Sequence, residues 1–392
     1  MSVTAARGFV AAGGAVGIKA DGSSDVAIVA TADGRAVPAA GVFTENRAAA
    51  APVRVSREHL GKSAGRAAAV VCTSGNANAA TGPAGIRAAE ELCALVASGV
   101  RAAPHEVLVC QTGLIGIPFP FEVLGAVGAV VRARAPGEDA ARAAAEAIMT
   151  TDTVRKEALA HVELDGSRCT VGGMAKGAAM LAPHMATMLA VLTTDAEVAP
   201  PTLHALLREA VDASFNRVTV DGCTSTNDAV LLLASGEAGP VPADRLGAAV
   251  AEVCRSLAAQ MVADAEGATK VARVVVTGAA SDAEAHAAAR KVASSLLVKC
   301  SLNGADPYWG RVVSELGAAG VAFELDRTSV SYGGIVVCEH GVAALHDTEA
   351  VASHMAGRAV EISCSLGMGS GEGAVLATDL GHGYIDENRT TS

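Results

Sequence analysis

The chain has 392 residues, of which 51% are hydrophobic, so it is long enough to bury a sizeable core in one large domain or two smaller ones. Its formal net charge of −11 argues against nucleic acid or an anionic membrane as a partner. Aromatic residues make up only 3% of the chain, and there are 42 glycines. This composition predicts layers of small, closely packed side chains.

The nine cysteines are dispersed, odd in number and never arranged as Cys-x-x-Cys. This pattern excludes a zinc framework and a disulfide scaffold, and it indicates reduced thiols in a cytoplasmic protein. We expect no secretory leader, because glycines interrupt the start of the chain. The most apolar window, residues 177–192, is too short to span a bilayer, so we expect no membrane segment.

Short apolar strands and amphipathic helices interleave along the chain. In chain order, the pattern predicts a strand at 26–30, strand and turn at 41–53, a strand at 68–72, a helix at 82–100, a strand at 107–110, a helix at 138–147, strands at 156–164, 169–171 and 188–192, a helix at 203–213, a strand at 218–220, a helix at 244–263, a strand at 272–276, a helix at 282–297, strands at 321–324 and 335–337, a helix at 349–355, and strands at 360–364 and 375–378. This order predicts an α/β fold layered as helix, sheet, sheet and helix (αββα). Composition alone does not distinguish it from a doubly wound sheet.

The predicted strand at 107–110 runs through Gln111 into Thr112 and Gly113. A threonine and a glycine at the exit of a strand can direct a hydroxyl and a backbone N–H into a cleft. On the sequence alone, a plain turn from strand to loop explains the pair equally well.

The central segment from Lys176 to Leu189 contains one hydroxyl, that of Thr187, in otherwise apolar surroundings. The ordinary interpretation of such a threonine is a buried hydroxyl bonded to a backbone carbonyl. The alternative is a nucleophile made by cutting the chain in front of it. Cleavage between Ala186 and Thr187 would give Thr187 a free α-amine, a base of pKa about 8 on the same residue.

The stretch Lys176-Gly177 to Ala186-Thr187-Met188-Leu189 resembles the self-cleavage segment of the ornithine acetyltransferase family of arginine biosynthesis. Further matching stretches occur along nearly the whole chain, among them residues 41–47, 149–153 and 264–270. The resemblance implies a glutamate N-acetyltransferase. It also implies a fold related to self-cleaving aminopeptidases and similar to N-terminal nucleophile hydrolases.

The resemblance also implies a mechanism. The chain would cut itself between Ala186 and Thr187, giving fragments 1–186 and 187–392 that fold together as one catalytic unit and assemble as α2β2. Thr187 would then carry the acetyl group of N-acetylornithine to glutamate in a ping-pong reaction, with Thr112 and Gly113 as the oxyanion hole. Acetyl-CoA is a possible second donor. Such covalent catalysis needs no cofactor.

The family contacts substrate at a set of positions that we transfer to this chain: Thr150, Thr151, Lys176, Thr187, Glu266, Asn388 and Ser392. Glu266 would bind the side-chain ammonium of ornithine, and Lys176 would bind a carboxylate or tune the Thr187 amine. Taken alone, each of these two charges is better explained as an ordinary solvated residue. The chain departs from the family pattern at Cys223, Ala265, Tyr308 and the end of the tail, which is one residue shorter, so Thr391 is an alternative to Ser392.

Two other functions remain open at this point. A self-cleaving amidase or aminopeptidase would use the same threonine and release its acyl group to water. A metabolite-binding protein without catalysis would never cut its chain. Two further motifs are set aside: residues 367–373 are interpreted as a hairpin turn instead of a phosphate loop, and residues 338–340 lack a second pair of metal ligands.

Overall fold

The computed structural model describes residues 2–164, 166–181 and 188–389, which form two compact units. The first contains the described residues of Met1–Ala178, His184–Asn216 and Thr224–Met261, and the second those of Ala179–Pro183, Arg217–Cys223 and Val262–Ser392. Both units contain residues from each side of the predicted cut. The boundary between the units is therefore not the boundary between the predicted fragments, and the two-fragment organisation stays a prediction.

The described strands and helices follow one another with mostly short connections. The strands are β1 (Phe9–Gly14), β2 (Val26–Thr31), β3 (Val37–Phe43), β4 (Arg66–Ala67), β5 (Ala69–Asn76), β6 (Val107–Leu114), β7 (Lys156–Leu164), β8 (Ser167–Lys176), β9 (Leu189–Glu197), β10 (Val218–Thr219), β11 (Ala229–Pro240), β12 (Val271–Ala279), β13 (Ser329–Tyr332), β14 (Ile335–Glu339), β15 (Val342–Ala343), β16 (Ala359–Ser365) and β17 (Gly371–Thr378). The helices are α1 (Ala51–Lys62), α2 (Gly82–Val100), α3 (Leu124–Arg132), α4 (Glu138–Ala147), α5 (Pro200–Asp212), α6 (Ala243–Ala263), α7 (Asp282–Ala293), α8 (Leu296–Asn303), α9 (Trp309–Gly317), α10 (Thr348–Ala356) and α11 (His382–Glu387).

The first unit contains two sheets. One has four strands in the order β1-β2-β5-β6, with β5 and β6 parallel. The other has six strands in the order β4-β3-β11-β9-β8-β7, with β9 and β11 parallel. In this second sheet, β9 and β11 follow Thr187 in the sequence, and the strands on both sides of them precede it. The sheet therefore alternates between the two parts of the chain.

The side chains of β2 show how the layers are built. Ala27 and Val29 share a buried cluster with Val191 of the six-stranded sheet, so the two sheets pack face to face. Ile28 points to the opposite face, as alternation along a strand requires, and packs in a cluster with Leu92 of α2 and with residues of α3. Helices α2 and α3 therefore cover the outer face of the four-stranded sheet.

Helices α5 and α6 cover the outer face of the six-stranded sheet. Val253 and Leu257 of α6 lie against Gly173 of β8, and α5 packs on β3. With helices outside both sheets, the first unit has the predicted αββα layering, and the α/β fold class is confirmed.

The second unit is built on a seven-stranded sheet in the order β10-β17-β12-β16-β13-β14-β15. Helix α7 packs on β12 and β17, and Val274, Ala289 and Val292 belong to its core cluster. Strands β16 and β17 lie on either side of β12, so the residues that join them cross β12. The predicted hairpin turn at residues 367–373 is therefore wrong, although the segment does connect two strands.

Three element predictions need correction. Residues 51–53 begin helix α1 and not a turn, because proline is tolerated in the first helical turn, where its missing N–H has no intrahelical partner. The predicted helix at 282–297 is two helices, since Ser295 caps the start of α8 by accepting a hydrogen bond from the N–H of Val298. Residues 321–324 form no strand.

Helix α6 is the one described helix that is long and apolar enough to cross a membrane by length and composition. Its apolar residues Val250, Val253 and Leu257 are buried, whereas Glu252 and Arg255 are exposed. This one-sided pattern is typical of a helix that lies on a protein core.

The small residues predicted from the composition allow backbones to approach closely. A Cβ atom on Gly13 of β1 would lie 1.9 Å from the carbonyl oxygen of Ala143 in α4. Helix α4 can therefore rest on β1 only because this position has no side chain.

We predict that Gly13→Ala destabilises the protein by about 1–3 kcal/mol, because the added methyl group forces α4 away from β1. The matched control is Gly61→Ala in α1, where an added Cβ meets nothing within 4 Å. There, alanine should be neutral or stabilising by up to about 1 kcal/mol. Thermal unfolding of both variants checks this, and equal melting temperatures would contradict the close-approach argument.

Candidate active site

The predicted cleavage segment begins at the end of β8 and ends at the start of β9, two neighbouring strands of the six-stranded sheet. Lys176 is the last residue of β8 and is the cross-strand partner of Leu189, the first residue of β9. The chain therefore leaves the sheet after Lys176 and re-enters it at Leu189, at neighbouring positions. Of the predicted site residues, Ala186, Thr187 and Ser392 lie outside the described residues.

The structure brings three of the predicted site residues together around the Lys176 ammonium. Its Nζ donates a hydrogen bond of 2.6 Å to Thr150 Oγ1 and one of 3.4 Å to Thr112 Oγ1. The side chain of Lys176 is only 4% exposed. Thr151, also predicted to bind substrate, is exposed and has no hydrogen bond to Lys176 or Thr112 within the described ranges. Three predicted residues thus form one largely buried polar group, in which Thr150 is partly exposed, and Thr151 lies outside it.

Asp152 organises this group, and the sequence analysis did not identify it. Its carboxylate accepts hydrogen bonds from Lys156 Nζ at 2.6 Å, from the N–H of Gly177 at 2.8 Å and from the N–H of Thr150 at 3.0 Å. It also lies 3.8 Å from Lys176 Nζ. Burial alone would raise the pKa of Asp152, but Lys176, Lys156 and the Gly177 N–H outweigh it and lower the pKa to about 2. The carboxylate therefore stays charged and holds both lysines.

Thr112 and Gly113 lie near the end of β6, which continues through the predicted loop to Leu114. Gly113 has φ of +130°, and a Cβ there would lie 2.3 Å from the carbonyl carbon of Gly75. Only glycine fits, both for conformation and for space. The Lys176 ammonium donates to Thr112 Oγ1, so this contact leaves the Thr112 hydroxyl hydrogen available to donate.

The side chain of Asn227 links the residues before β11 to β6, the strand that contains Thr112. Its Nδ2 donates hydrogen bonds to the carbonyl oxygens of Ala77, at 2.6 Å, and of Gln111, at 2.9 Å. The side chain is buried, so both bonds are shielded from water. Strand β11, which begins just after Asn227, is thereby tied to the end of β6.

Asp228 is a second acidic residue that the sequence analysis missed. It is fully buried, and its Oδ1 accepts a 2.9 Å hydrogen bond from the N–H of Met188, the residue that follows Thr187 in the sequence. Its Oδ2 has no hydrogen-bond partner among the described residues. Burial raises the pKa of Asp228 well above its usual value, which favours the protonated carboxyl. The Asp228 carboxyl group therefore holds the start of β9.

Lys19 is a third residue that the sequence did not single out. Its Nζ donates hydrogen bonds of 2.8 Å to the carbonyl oxygens of Ser24 and Met149. Burial lowers the pKa of Lys19, and the neighbouring Lys176 lowers it further, whereas Asp25 opposes the shift. No sequence periodicity marks such a residue, because its importance arises from contact with Met149, 130 positions away.

In the second unit, the structure brings the predicted residues Glu266 and Asn388 into direct contact. Asn388 Nδ2 donates a 2.8 Å hydrogen bond to Glu266 Oε2 and a 2.9 Å bond to the carbonyl oxygen of Tyr384. Gly267 allows this arrangement, since a Cβ at that position would lie 2.1 Å from the N atom of Tyr384. Glu266 is half-buried, and Asn388 is exposed.

The described ranges contain no group of three or more His, Cys, Asp or Glu side chains that could hold a metal ion. All nine cysteines are free thiols, of which Cys223 and Cys300 are exposed. The polar groups around Lys176 are hydroxyls, ammonium groups and carboxylates, which suit proton transfer and the binding of charged metabolites.

We predict that Asp152→Asn destabilises the protein by about 3–5 kcal/mol, because it removes the carboxylate charge that lies 2.6 Å from the fully buried Lys156 ammonium. The control is Asp139→Asn, whose side chain is 99% exposed and whose loss should change stability by no more than about 0.5 kcal/mol. Thermal unfolding measures both. Since the folded pKa is depressed, the wild type should also lose this stabilisation as the pH falls from 3.8 to about 2. A melting temperature equal to that of the control would contradict the role of Asp152.

A family model described as the ArgJ family matches residues 10–390. The chain is 47% identical over 397 residues to the arginine biosynthesis bifunctional protein ArgJ of Mycolicibacterium paratuberculosis, a match that covers 100% of this chain and 96% of that protein. It is 44% identical over 395 residues to the protein of the same name from Thermobifida fusca, with 100% of both chains covered. A crystal structure of the Bacillus halodurans protein of that name is 35% identical, with 50% of this chain and 96% of that chain covered and a TM-score of 0.49. Because the family model and the full-length relatives match nearly every residue, the chain belongs to the ArgJ family.

Proposed function

We propose that this protein is a glutamate N-acetyltransferase of arginine biosynthesis, which transfers the acetyl group from N2-acetyl-L-ornithine to L-glutamate. In this proposal it first cuts its own chain between Ala186 and Thr187, and Thr187 then acts as the nucleophile. The curated relatives are named as bifunctional proteins of arginine biosynthesis, which supports the pathway. We extend the proposal to acetyl-CoA as a second acetyl donor.

The proposal rests on the polar groups that lie where the cleavage segment joins strands β8 and β9. Lys176, at the end of β8, is the cross-strand partner of Leu189, at the start of β9, and Thr112 and Thr150 accept hydrogen bonds from the Lys176 ammonium. The proposed nucleophile, Thr187, is only two residues before Leu189 in the sequence. Hydroxyl and N–H donors close to a nucleophile are what acyl transfer requires.

In the first reaction, Thr187 Oγ attacks the carbonyl carbon of Ala186. The C–N bond to Thr187 breaks, its nitrogen takes up a proton, and the Ala186 acyl group is then held as an ester on Oγ. Water hydrolyses the ester, which restores the hydroxyl and leaves a carboxylate on Ala186 and an α-amine on Thr187. The Thr112 hydroxyl and the Gly113 N–H would stabilise the oxyanion that forms in each step.

In the second reaction, the Thr187 α-amine takes the hydroxyl proton while Oγ attacks the acetyl carbon of N-acetylornithine. The acetyl–nitrogen bond breaks, the proton moves to the leaving amine, and ornithine departs. The α-amine of glutamate then attacks the acetyl carbon of acetyl-Thr187. The ester bond to Oγ breaks, a proton from the amine of glutamate returns to the Thr187 hydroxyl through its α-amine, and N-acetylglutamate departs. Both acyl transfers use the same donors for the oxyanion, so one site serves all steps.

The Lys176 ammonium supports the base in this scheme. A positive charge close to the Thr187 α-amine disfavours a second positive charge and thus favours the neutral amine, which is the form that can accept a proton. Asp152 lies 3.8 Å from Lys176 Nζ and helps to fix its position, and Thr150 orients it through the 2.6 Å hydrogen bond. We also assign Lys176 to the α-carboxylate that ornithine and glutamate share.

Substrate recognition in this proposal uses charges of both signs. Glu266 would bind the side-chain ammonium of ornithine, and the Asn388 amide that donates to it would hold its carboxylate in place. We retain Thr150, Thr151 and Ser392 as further substrate contacts on the basis of the family resemblance. The exposed hydroxyl of Thr151 would have to reach substrate from outside the Lys176 group.

The two fragments would stay together after cleavage. Strand β11, from the second fragment, pairs with β3 from the first, and β9 pairs with β8. Separating the fragments would expose the buried strands at the centre of the sheet, which is strongly unfavourable. We propose an α2β2 assembly of these fragments. The nine free thiols support a reducing compartment, the cytoplasm, as its location.

We predict that the purified protein contains two chains of 186 and 206 residues, the second beginning Thr-Met-Leu-Ala-Val. Thr187→Ala should remain one uncut and inactive chain, because it lacks the attacking oxygen, and Thr187→Ser should still cut. Intact mass and N-terminal sequencing check all three proteins. A cut elsewhere, or an active Thr187→Ala variant, would show that the nucleophile is another residue.

We predict that N-acetylornithine alone adds one acetyl group to the fragment that begins with Thr187, and that glutamate removes it as N-acetylglutamate. Thr112→Ala should slow both self-cleavage and acetylation by about a hundredfold or more, because each loses an oxyanion donor. Mass spectrometry and single-turnover kinetics measure these steps.

The same assay separates the rival functions. Release of free acetate without dependence on glutamate would identify an amidase, and the absence of any acetylated fragment during turnover would contradict the ping-pong scheme. Repeating the loading step with acetyl-CoA tests the second donor. Added metal ions, or coenzymes other than acetyl-CoA, should have no effect on any of these rates.

A further inference from the structure

We propose that Lys19 forms a second carboxylate subsite beside Lys176 and binds the side-chain carboxylate of the acceptor glutamate. This inference rests on the proposed acetyl transfer and deepens it, because it names the residue that distinguishes the acceptor from the donor. The carboxylate in question belongs to a small dicarboxylic amino acid.

The two ammonium groups bind consecutive residues. Lys19 Nζ donates to the carbonyl oxygen of Met149, and Lys176 Nζ donates to Thr150 Oγ1. The two positive charges are close enough for Lys176 to lower the pKa of Lys19. Two ammonium groups that bind consecutive residues can attract the same anion, in addition to Asp152, which lies 3.8 Å from Lys176 Nζ.

The loop that carries Lys19 is rigidly held. The fully buried carboxylate of Asp25 accepts hydrogen bonds from the backbone N–H groups of Val16, Gly17, Ile18 and Lys19, at distances from 2.6 to 3.1 Å. Four bonds to one carboxylate fix the backbone from which the lysine side chain extends. The ammonium is therefore held in advance and need not be ordered when a ligand binds.

The neighbouring carboxylates already have their own donors. Asp25 accepts the four backbone N–H groups, Asp21 accepts from the N–H and hydroxyl of Ser23, and Asp152 accepts from Lys156. The Lys19 ammonium uses two of its three N–H groups on carbonyl oxygens, and no other hydrogen bond of its Nζ occurs within the described chain. A carboxylate of a ligand could accept a hydrogen bond from the third N–H group of Lys19.

The chemistry of the reaction requires such a cation. Ornithine and glutamate share an α-amine and an α-carboxylate, but their side chains end in opposite charges. A carboxylate that binds the ornithine ammonium would repel the glutamate side chain, since like charges close together are unfavourable. A second positive charge that only the acceptor uses would allow one site to accept both amino acids, with Lys176 serving the shared α-carboxylate.

Lys19→Met tests the subsite by direct binding. Calorimetry on the whole protein should show at least a tenfold weaker affinity for glutamate, because a charge-assisted hydrogen bond is lost, and an unchanged affinity for ornithine. Lys19→Arg should retain most of the glutamate affinity. The control is Lys62→Met on the surface of α1, where the lysine pairs with Glu58 and both side chains are more than half exposed.

Kinetics supply the second readout. Acetylation by N-acetylornithine should proceed at the wild-type rate in Lys19→Met, while removal of the acetyl group should lose its preference for glutamate over glutamine. Equal losses in both half-reactions, or for both ligands, would overturn the proposal and indicate that Lys19 merely supports the loop. An unchanged glutamate affinity would also overturn it. If the wild type binds glutamate through Lys19 but transfers no acetyl group, the subsite stands and the proposed reaction fails.

Discussion

The candidate site depends on the buried carboxylate of Asp152. Two ammonium groups, those of Lys156 and Lys176, lie against it at 2.6 and 3.8 Å, with side chains that are 0% and 4% exposed. Burying an ammonium group is costly, so this negative charge stabilises both lysines in their positions. The same carboxylate accepts the N–H groups of Thr150 and Gly177. One anion therefore sets the position of a cation, a hydroxyl residue and the first residue after β8.

The small-residue composition has a structural purpose that extends to this site. Gly113 lets the end of β6 approach Gly75, and Gly13 lets α4 rest on β1. Each contact has a backbone atom where a side chain would otherwise be. Backbones therefore lie close together at these points, and the polar side chain of Asn227 bridges from the start of β11 to β6.

Much of the fold could be predicted from the sequence, and the reason lies in local pattern. Helices α2 and α4 and strand β7 have the predicted bounds, because their apolar periodicity and flanking residues are clear within a few turns. Helix α1 was missed because Pro52 suggests a turn, and the break between α7 and α8 depends on a single capping serine. For the site, the family resemblance indicated Thr112, Thr150 and Lys176, which do come together. It did not indicate Lys19, Asp152 or Asp228, whose significance comes from burial and long-range contacts that no local pattern contains.

The six-stranded sheet contains strands from both parts of the chain, and this bears on how the two fragments would be produced in the cell. Since β9 and β11 are enclosed by strands from the earlier part, both parts are needed to complete the sheet, and a cut at residue 187 made after folding would leave them paired. Each act of translation would then deliver both halves in equal number and already paired. No subunit exchange or balanced expression of two genes would be required, and a defect in either half would be confined to the molecule that carries it.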